Sequence, residues 1–179
     1  LLKDRRGNLT LTNINGLCRI ALDKLKKTYE QDIQEKNIRI VFDNLTLSLM
    51  MEVNVEQFSK VLAGILKNSM YALLKKSETV TFSPEIFLGL KVNKDMLEIT
   101  IRDNGSGIDE NIKDKIFAPF FTTKTTGEAA GVGLYICREI VQNHRGTIEV
   151  ESKKGEYTQF LITIPVYQPK TITPPKEEE

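Results

Sequence analysis

Residues 97–112 read Leu97-Glu98-Ile99-Thr100-Ile101-Arg102-Asp103-Asn104-Gly105-Ser106-Gly107-Ile108-Asp109-Glu110-Asn111-Ile112. Apolar and polar side chains alternate from Leu97 to Ile101, the period of a half-buried strand. Asn-Gly after such a strand is the commonest short hairpin signal, so one reading of Asp103–Gly107 is a plain turn. A second reading comes from the next five residues: Ile108 to Ile112 has the pattern of a capped short helix rather than a returning strand. The glycines would then let the backbone approach a ligand, with a carboxylate at the edge of the turn.

Working outward toward the N-terminus, Ile86, Leu88, Leu90 and Val92 alternate up to the polar corner Asn93-Lys94-Asp95, which predicts an antiparallel hairpin with 97–101. A long helix is expected from about Val55 to Lys75, its buried face made by Phe58, Val61, Leu62, Ile65, Leu66, Ser69, Ala72 and Leu73. Earlier, Ile38, Ile40 and Phe42 predict one strand and Leu45, Leu47, Leu49 and Met51 another. A first helix is expected from Ile14 to Ile33.

Toward the C-terminus a short helix near Glu110–Ile116 precedes an aromatic run, Phe117, Phe120 and Phe121 around Pro119. No period is visible from Thr122 to Ala130, which predicts a mobile loop. A third helix begins near Gly131 and buries Ile136, Cys137, Ile140 and Val141; two strands follow, carrying Ile148 and Val150, then Phe160, Ile162 and Ile164. The proline-rich, acidic end predicts a disordered tail over 167–179. This order predicts an α/β two-layer sandwich: a mixed, mainly antiparallel sheet with helices on one face, spanning 14–166.

A chain of 179 residues with 40% hydrophobic content fits one core. Its 25 basic and 24 acidic residues leave a net charge of +1, so no global field attracts nucleic acid or an anionic membrane. No apolar run approaches the roughly 20 residues of a membrane span, and the N-terminus lacks the order of a signal peptide. A soluble piece is expected. Cys18 and Cys137 have no metal-ligand spacing and read as buried free thiols, which favours a reducing compartment, the cytoplasm. The start at Leu1 rather than Met suggests an excised fragment.

Two further segments carry chemistry. Asn68 lies on the long helix, one step from its apolar face; it is either a solvated helix residue or an amide oxygen for Mg²⁺, a hard ion that completes its shell with water and phosphates. Gly131-Val132-Gly133-Leu134 opens a helix, where exposed N–H groups and the macrodipole favour an anion; a simple glycine-rich loop end is the bland alternative. Neither the phosphate loop G-x-x-x-x-G-K-[ST] nor G-x-G-x-x-G is present.

Taken in order, these signals make a far more specific pattern. An Asn on a long helix, D-x-G-x-G after a strand, a Phe-rich segment and G-x-G-L opening a helix resemble the catalytic domain of sensor histidine kinases. The family's Asn box is similar to Ile65–Leu73, its first glycine box to Asp103–Gly107, its phenylalanine box to Phe117–Lys124 and its second glycine box to Gly131–Leu134, continuing to Val141. Gly146–Ser152 and Thr158-Gln159-Phe160 match as well, so the resemblance covers roughly residues 14–165. Pro119-Phe120-Phe121-Thr122-Thr123-Lys124 is similar to the nitrogen-regulation type.

The resemblance implies a Bergerat-type ATP-binding fold, with ATP and Mg²⁺ as cofactors. It implies that Asp103 accepts from the adenine amino group, that Gly105 and Gly107 shape the wall beside the base, and that Asn68 holds Mg²⁺ as the catalytic and metal-binding residue. Gly131 and Gly133 would offer donors to the phosphates, Leu134 would pack near the base, and Thr158 would support Asp103. Tyr71, Ile108, Phe120, Thr123, Lys124 and Val132 would complete the nucleotide site, and residues 121–130 would form its lid. The chemistry implied is transfer of the ATP γ-phosphoryl group to a histidine. Residues 1–13 would be a linker from a dimerisation and phosphoacceptor segment, at which a response regulator would also dock. His144, the single histidine, is read as helix capping or packing and not as the acceptor.

Three departures from the family pattern stand out. Gly64 falls one helical turn before Asn68, where the family usually has Asn, His or an acid; Val132 replaces a usual Leu; and Glu156-Tyr157-Thr158 lacks a glycine before the threonine. Gly64 supports a rival in which nucleotide only switches conformation, an ATP-binding pseudokinase. It argues against gyrase-, mismatch-repair- or chaperone-type ATPases, which resemble a pattern with Glu at that place, and the Phe-rich box disfavours an anti-sigma serine kinase.

Overall fold

The computed structural model describes residues 5–119, 121 and 133–167. A five-stranded sheet carries helices on one face. Its order is β2 (Arg39–Asp43), β4 (Glu85–Asn93), β5 (Met96–Asp103), β7 (Tyr157–Pro165), β6 (Thr147–Lys153). Only β2 and β4 run parallel; the other three pairs are antiparallel. The expected two-layer α/β architecture is the one observed.

The helical layer consists of α1 (Ile14–Thr28), α2 (Glu30–Glu35), α3 (Val55–Ser77) and α4 (Gly133–Asn143). Asn13 starts α1 by accepting the Gly16 N–H at 3.1 Å, and Asn54 starts α3 by accepting that of Gln57 at 3.0 Å. α3 is the central helix: Phe58, Val61, Leu62, Ile65, Leu66, Met70 and Leu73 are essentially fully buried. They pack against the inward rows of the sheet, Leu97, Ile99 and Ile101 from β5 and Phe160, Ile162 and Ile164 from β7. Burying a stripe of this kind stabilises the fold by about 1.5–3 kcal/mol per large side chain.

Several expectations are corrected. Residues 10–13, expected in a linker, form strand β1 (Thr10–Asn13), which pairs antiparallel with β3 (Met50–Val53), and Arg6 before it is buried, so the folded unit begins ahead of Ile14. The strand expected over Leu45–Met51 is confined to β3. Leu47 is 80% exposed while Leu45 and Leu49 are partly buried, so the alternating leucines do not share a face, and the Leu49 carbonyl is taken by the Ile14 N–H. The first helix breaks at Tyr29, whose backbone leaves the helical region, and the short helix expected over 110–116 is a single 3₁₀ turn at Lys113–Lys115. Ile136, expected on the buried face of α4, is 43% exposed. The aperiodic loop over 122–130 and all of the expected tail except Tyr167 lie outside the described residues.

His144, fully buried, ties the helices together. Its Nδ1 donates to the Ile140 carbonyl at 2.8 Å, which leaves Nε2 to accept the Asn54 N–H at 3.2 Å. The ring also meets Phe58 edge-on at 5.4 Å. Cys18 and Cys137 are free and buried, and burial pushes both thiols up to about 12.

Candidate functional site

In β5 the side chains that face the helices are Leu97, Ile99, Ile101 and then Asp103. In β7 the matching row, read in the opposite direction, is Ile164, Ile162, Phe160 and then Thr158. Antiparallel register sets Asp103 directly opposite Thr158, so two apolar rows end in two buried polar groups at one end of the sheet. A carboxylate in that place is expensive to ionise, and burial pushes Asp103 up to about 7. The Gly105 N–H, donating to its Oδ1 at 2.9 Å, opposes the shift, as do the positive charges of Lys76 and Arg102. The buried Ser69 hydroxyl lies beside the carboxyl and also favours its ionised form, and among the described residues it has no closer hydrogen-bond partner.

The turn after Asp103 is held from two sides. A Cβ on Gly105 would meet the Ala72 backbone of α3 at 2.6 Å, and one on Gly107 would stand 2.2 Å from the Lys153 carbonyl of the β6–β7 hairpin. Gly107 also has φ +66°, a region that disfavours side chains. The Ser106 N–H donates to the Ala72 carbonyl at 3.2 Å, and the Ser106 carbonyl accepts from Gly155 at 2.6 Å. These glycines are therefore required first by close approach to other parts of this chain, a reason the sequence pattern did not supply.

Between α3, the start of α4 and this end of the sheet lies a cavity of about 420 Å³, within the usual range for small-molecule sites. Asn68, Tyr71, Asp103, Gly107, Ile108, Gly133, Leu134 and Thr158 all line it. Gly105 does not line it; its backbone holds Asp103 instead. Phe120, Thr123, Lys124, Gly131 and Val132 lie outside the described residues, as does the expected lid apart from Phe121, which lines the cavity. Apolar walls come from Ala72, Ile112, Ile116 and Phe160, and the rim carries Lys67, Lys75 and Lys154. Ile116 and Phe160 could be read from the sequence only as core residues, because nothing in a period marks where a core opens into a cavity. Gly64 also faces the cavity. Among the described residues no cluster of three or more His, Cys, Asp or Glu could hold a metal by itself, and no helix is long and apolar enough to cross a membrane.

Comparison with known proteins matches this geometry. Residues 54–168 match the family of histidine kinase-, DNA gyrase B-, and HSP90-like ATPases. Cyanobacterial phytochrome A of Nostoc is 36% identical over 149 residues, covering 82% of this chain and 18% of that protein. The sensor histidine kinase ZraS of Salmonella typhi is 28% identical over 166 residues, 93% of this chain and 33% of its own length. The chain thus spans a third or less of these two relatives. The nucleotide-free catalytic domain of the histidine kinase ThkA superposes with TM-score 0.72 at 28% identity, covering 89% of this chain and 97% of that one. ThkA in complex with the response regulator TrrA superposes at 0.66 with 26% identity, over 88% of this chain and 42% of that one. Family match, fold and cavity agree: the chain belongs to the histidine kinase-, DNA gyrase B- and HSP90-like ATPases, and within them to the ATP-binding catalytic domains of sensor histidine kinases.

Proposed function

We propose that this domain binds Mg-ATP in the cavity between α3, α4 and the sheet and transfers the γ-phosphoryl group to a histidine carried by a separate dimerisation segment of the same protein. The observation that carries this reading is the convergence of Asp103, Asn68 and the first turn of α4 on one apolar cavity. Asp103 at the floor suits a base with an amino group, and the walls formed by Ile108, Ile116, Leu134 and Phe160 suit an aromatic ring. Gly133 and the N-terminus of α4 suit the phosphates, since N–H groups and the helix dipole there favour negative charge.

The donor set fits Mg²⁺ only as a companion of the nucleotide. Asn68 offers one amide oxygen, and among the described residues no cluster of three or more carboxylate, His or Cys ligands could hold the ion by itself, which suits an ion that keeps its waters and takes its other ligands from phosphate oxygens. When bound, the ion neutralises phosphate charge; Asn68 holds it, and the rim lysines add positive charge. Phosphoryl transfer depends on positioning and electrostatics, so this is the work left to the protein. The parent would then pass the group to a response regulator in the cytoplasm, the kind of protein with which ThkA forms its complex. Residues 1–9 would lead from the dimerisation segment.

Calorimetric titration with Mg-ATP tests the first half; phosphate labelling of the protein with its upstream segment restored tests the second. Gly64 favours a second reading, a nucleotide-binding module without transfer, because no side chain stands one turn before Asn68. Binding without labelling would select it.

A further inference from the structure

We propose that the groove between α1 and α3 is a docking surface for a partner helix whose apolar stripe is flanked by carboxylates. A second cavity of about 420 Å³, as large as the first, opens between these two helices. Its α1 bank runs from Leu17 to Thr28 and on to Tyr29, and its α3 bank from Ser59 to Lys67. At 1.5 Å per residue these banks are about 18 Å and about 12 Å long. Ala21, Ser59 and Ala63 are small, so the two helices leave open the space that larger side chains would take. Leu17, Leu25 and Leu66 close the floor from the buried side, and Ile20 stands at the edge with 54% of its surface exposed.

The charge along this groove is one-sided. Lys24 and Lys27 line it from α1 and Lys60 and Lys67 from α3, while no Asp or Glu among the described residues lines it. Glu56 holds Lys60 at 3.4 Å. Lys24, Lys27 and Lys67 make no ion pair among the described residues. In a chain with 25 basic and 24 acidic residues this is a local excess, placed on both sides of an apolar floor.

That combination selects the occupant. An anionic lipid surface is met by a flat or convex face, whereas these lysines stand on the two banks of a concavity. A nucleic acid would find one aromatic ring to stack on, Tyr29, and would leave the apolar floor unmatched. An amphipathic helix satisfies both features. Its apolar anchors at i, i+3, i+4 and i+7 cover about 10 Å, within the length of the groove, and acidic side chains beside that stripe reach the lysines on either bank. Lys67 also lines the cavity that holds Asp103 and Asn68, so a helix docked here stands at the mouth of that cavity and shares a cation with it.

The test uses a fluorescein-labelled synthetic peptide of about 20 residues, long enough to form a helix in water, with leucine at i, i+3, i+4 and i+7 and glutamate on both flanks. Fluorescence anisotropy is read with the whole chain and no nucleotide, so a failure of ATP to bind leaves this result untouched. The wild type is expected to bind the peptide, and Lys24→Glu combined with Lys27→Glu, both at exposed positions, to lower the affinity roughly tenfold or more. The same peptide with lysine in place of glutamate is expected to reverse the order and favour the charge-reversed protein. Ala21→Leu fills the floor and keeps every lysine, and it is expected to lose the acidic peptide by a similar factor. No saturable binding up to about 1 mM overturns the proposal, as does equal affinity in wild type and charge-reversed protein. A peptide with serine in place of leucine that binds as tightly also overturns it, since any polyanion would then serve. A wild type that sediments with phosphatidylglycerol vesicles, and loses this in the charge-reversed variant, assigns the lysines to a lipid surface and overturns the proposal too. Should Ala21→Leu fail to fold, the two charge-swapped peptides decide alone.

Discussion

A Cβ placed on Gly64 would stand 3.2 Å from the sulfur of Cys137, so α3 and α4 meet where one of them has no side chain. Cys137 is 2% exposed, with its thiol toward the Val61 carbonyl at 3.8 Å. The position one turn before Asn68 is thus occupied from the opposite helix. Glycine there is a packing residue as well as a missing polar group.

That contact changes the effect of Gly64→Asn. Residues four apart on a helix share a face, so an amide at 64 would look toward the same phosphates as Asn68. By itself the substitution forces the Cys137 sulfur to withdraw, and overpacking of this kind costs about 1–3 kcal/mol. Combined with Cys137→Ala, Gly64→Asn in the parent kinase is expected to raise the single-turnover phosphoryl-transfer rate more than it changes ATP affinity, because the added group acts in the transition state. If the wild type already transfers at roughly 1–100 s⁻¹ and the double variant is no faster, Gly64 is a tolerated variation. The reading without transfer then loses its support.

Asp103 gives a signed pH dependence. Its folded value of about 7 lies above the ordinary 3.8, so the empty native state holds a proton that the unfolded chain releases. This group's contribution to stability therefore falls as pH rises from about 4 to 7 and is level above that. Asp103→Asn removes the dependence, and its melting temperature is expected to gain on the wild type between pH 5 and 8. Nucleotide binding runs the other way. A base that donates to the ionised carboxylate binds more tightly as pH rises toward 7, weakening by up to about tenfold per unit below it. Asp103→Ala is expected to lower ATP affinity about tenfold to a hundredfold at pH 8. Equal affinity in variant and wild type would remove Asp103 from the site.

His144 is the one histidine in the sequence, and its ring is closed inside the protein. Its Nδ1 is spent on the Ile140 carbonyl of α4 itself, and its Nε2 ties this end of α4 to the Asn54 N–H at the start of α3. The isolated chain is expected to take no acid-labile phosphate from ATP, while the protein with its upstream segment does. His144→Ala should cost about 2–4 kcal/mol by leaving the Asn54 N–H and a ring-sized space unfilled. Labelling of the isolated chain that disappears in His144→Gln would contradict this structural role.

How far each signal reaches along the chain decides which features are legible in the sequence. β5 and β7 alternate cleanly, so the rows Leu97–Asp103 and Thr158–Ile164 and the polar end they share are visible as a period with a carboxylate at its edge. The α3 stripe is equally plain. β1 escapes because Thr10–Asn13 is a four-residue edge strand whose partner, Val53 back to Met50, lies some forty positions away. The hydrogen bonds of Ser152 escape for a related reason. They depend on the β6–β7 register, which sets Ser152 opposite Thr158, and on the Gly107 turn that delivers the Ile108 N–H. The order of Asp103, Asn68 and Gly133 points to a shared site, but only the packing of α3 and α4 side by side on the sheet brings them to one cavity.

The glycines of the two boxes separate fold from ligand. Gly107 needs its left-handed backbone, and a methyl there would strike the Lys153 carbonyl; Gly107→Ala is expected to cost about 2 kcal/mol or more and to weaken nucleotide binding together with the fold. Gly133 differs. Among the described residues nothing lies within 4 Å of a Cβ added there, and the first turn of α4 accepts alanine without backbone strain. Gly133→Ala should melt at or above the wild-type temperature. Yet Gly133 lines the cavity at the N-terminus of α4, so the open space beside it is where phosphates would enter, and the methyl is expected to lower ATP affinity. Thermal melts with and without Mg-ATP distinguish the two: Gly107→Ala lowers both curves, whereas Gly133→Ala leaves the empty protein intact and shrinks the shift that nucleotide induces. A full nucleotide-induced shift in Gly133→Ala would mean that the phosphates do not approach α4 at this residue.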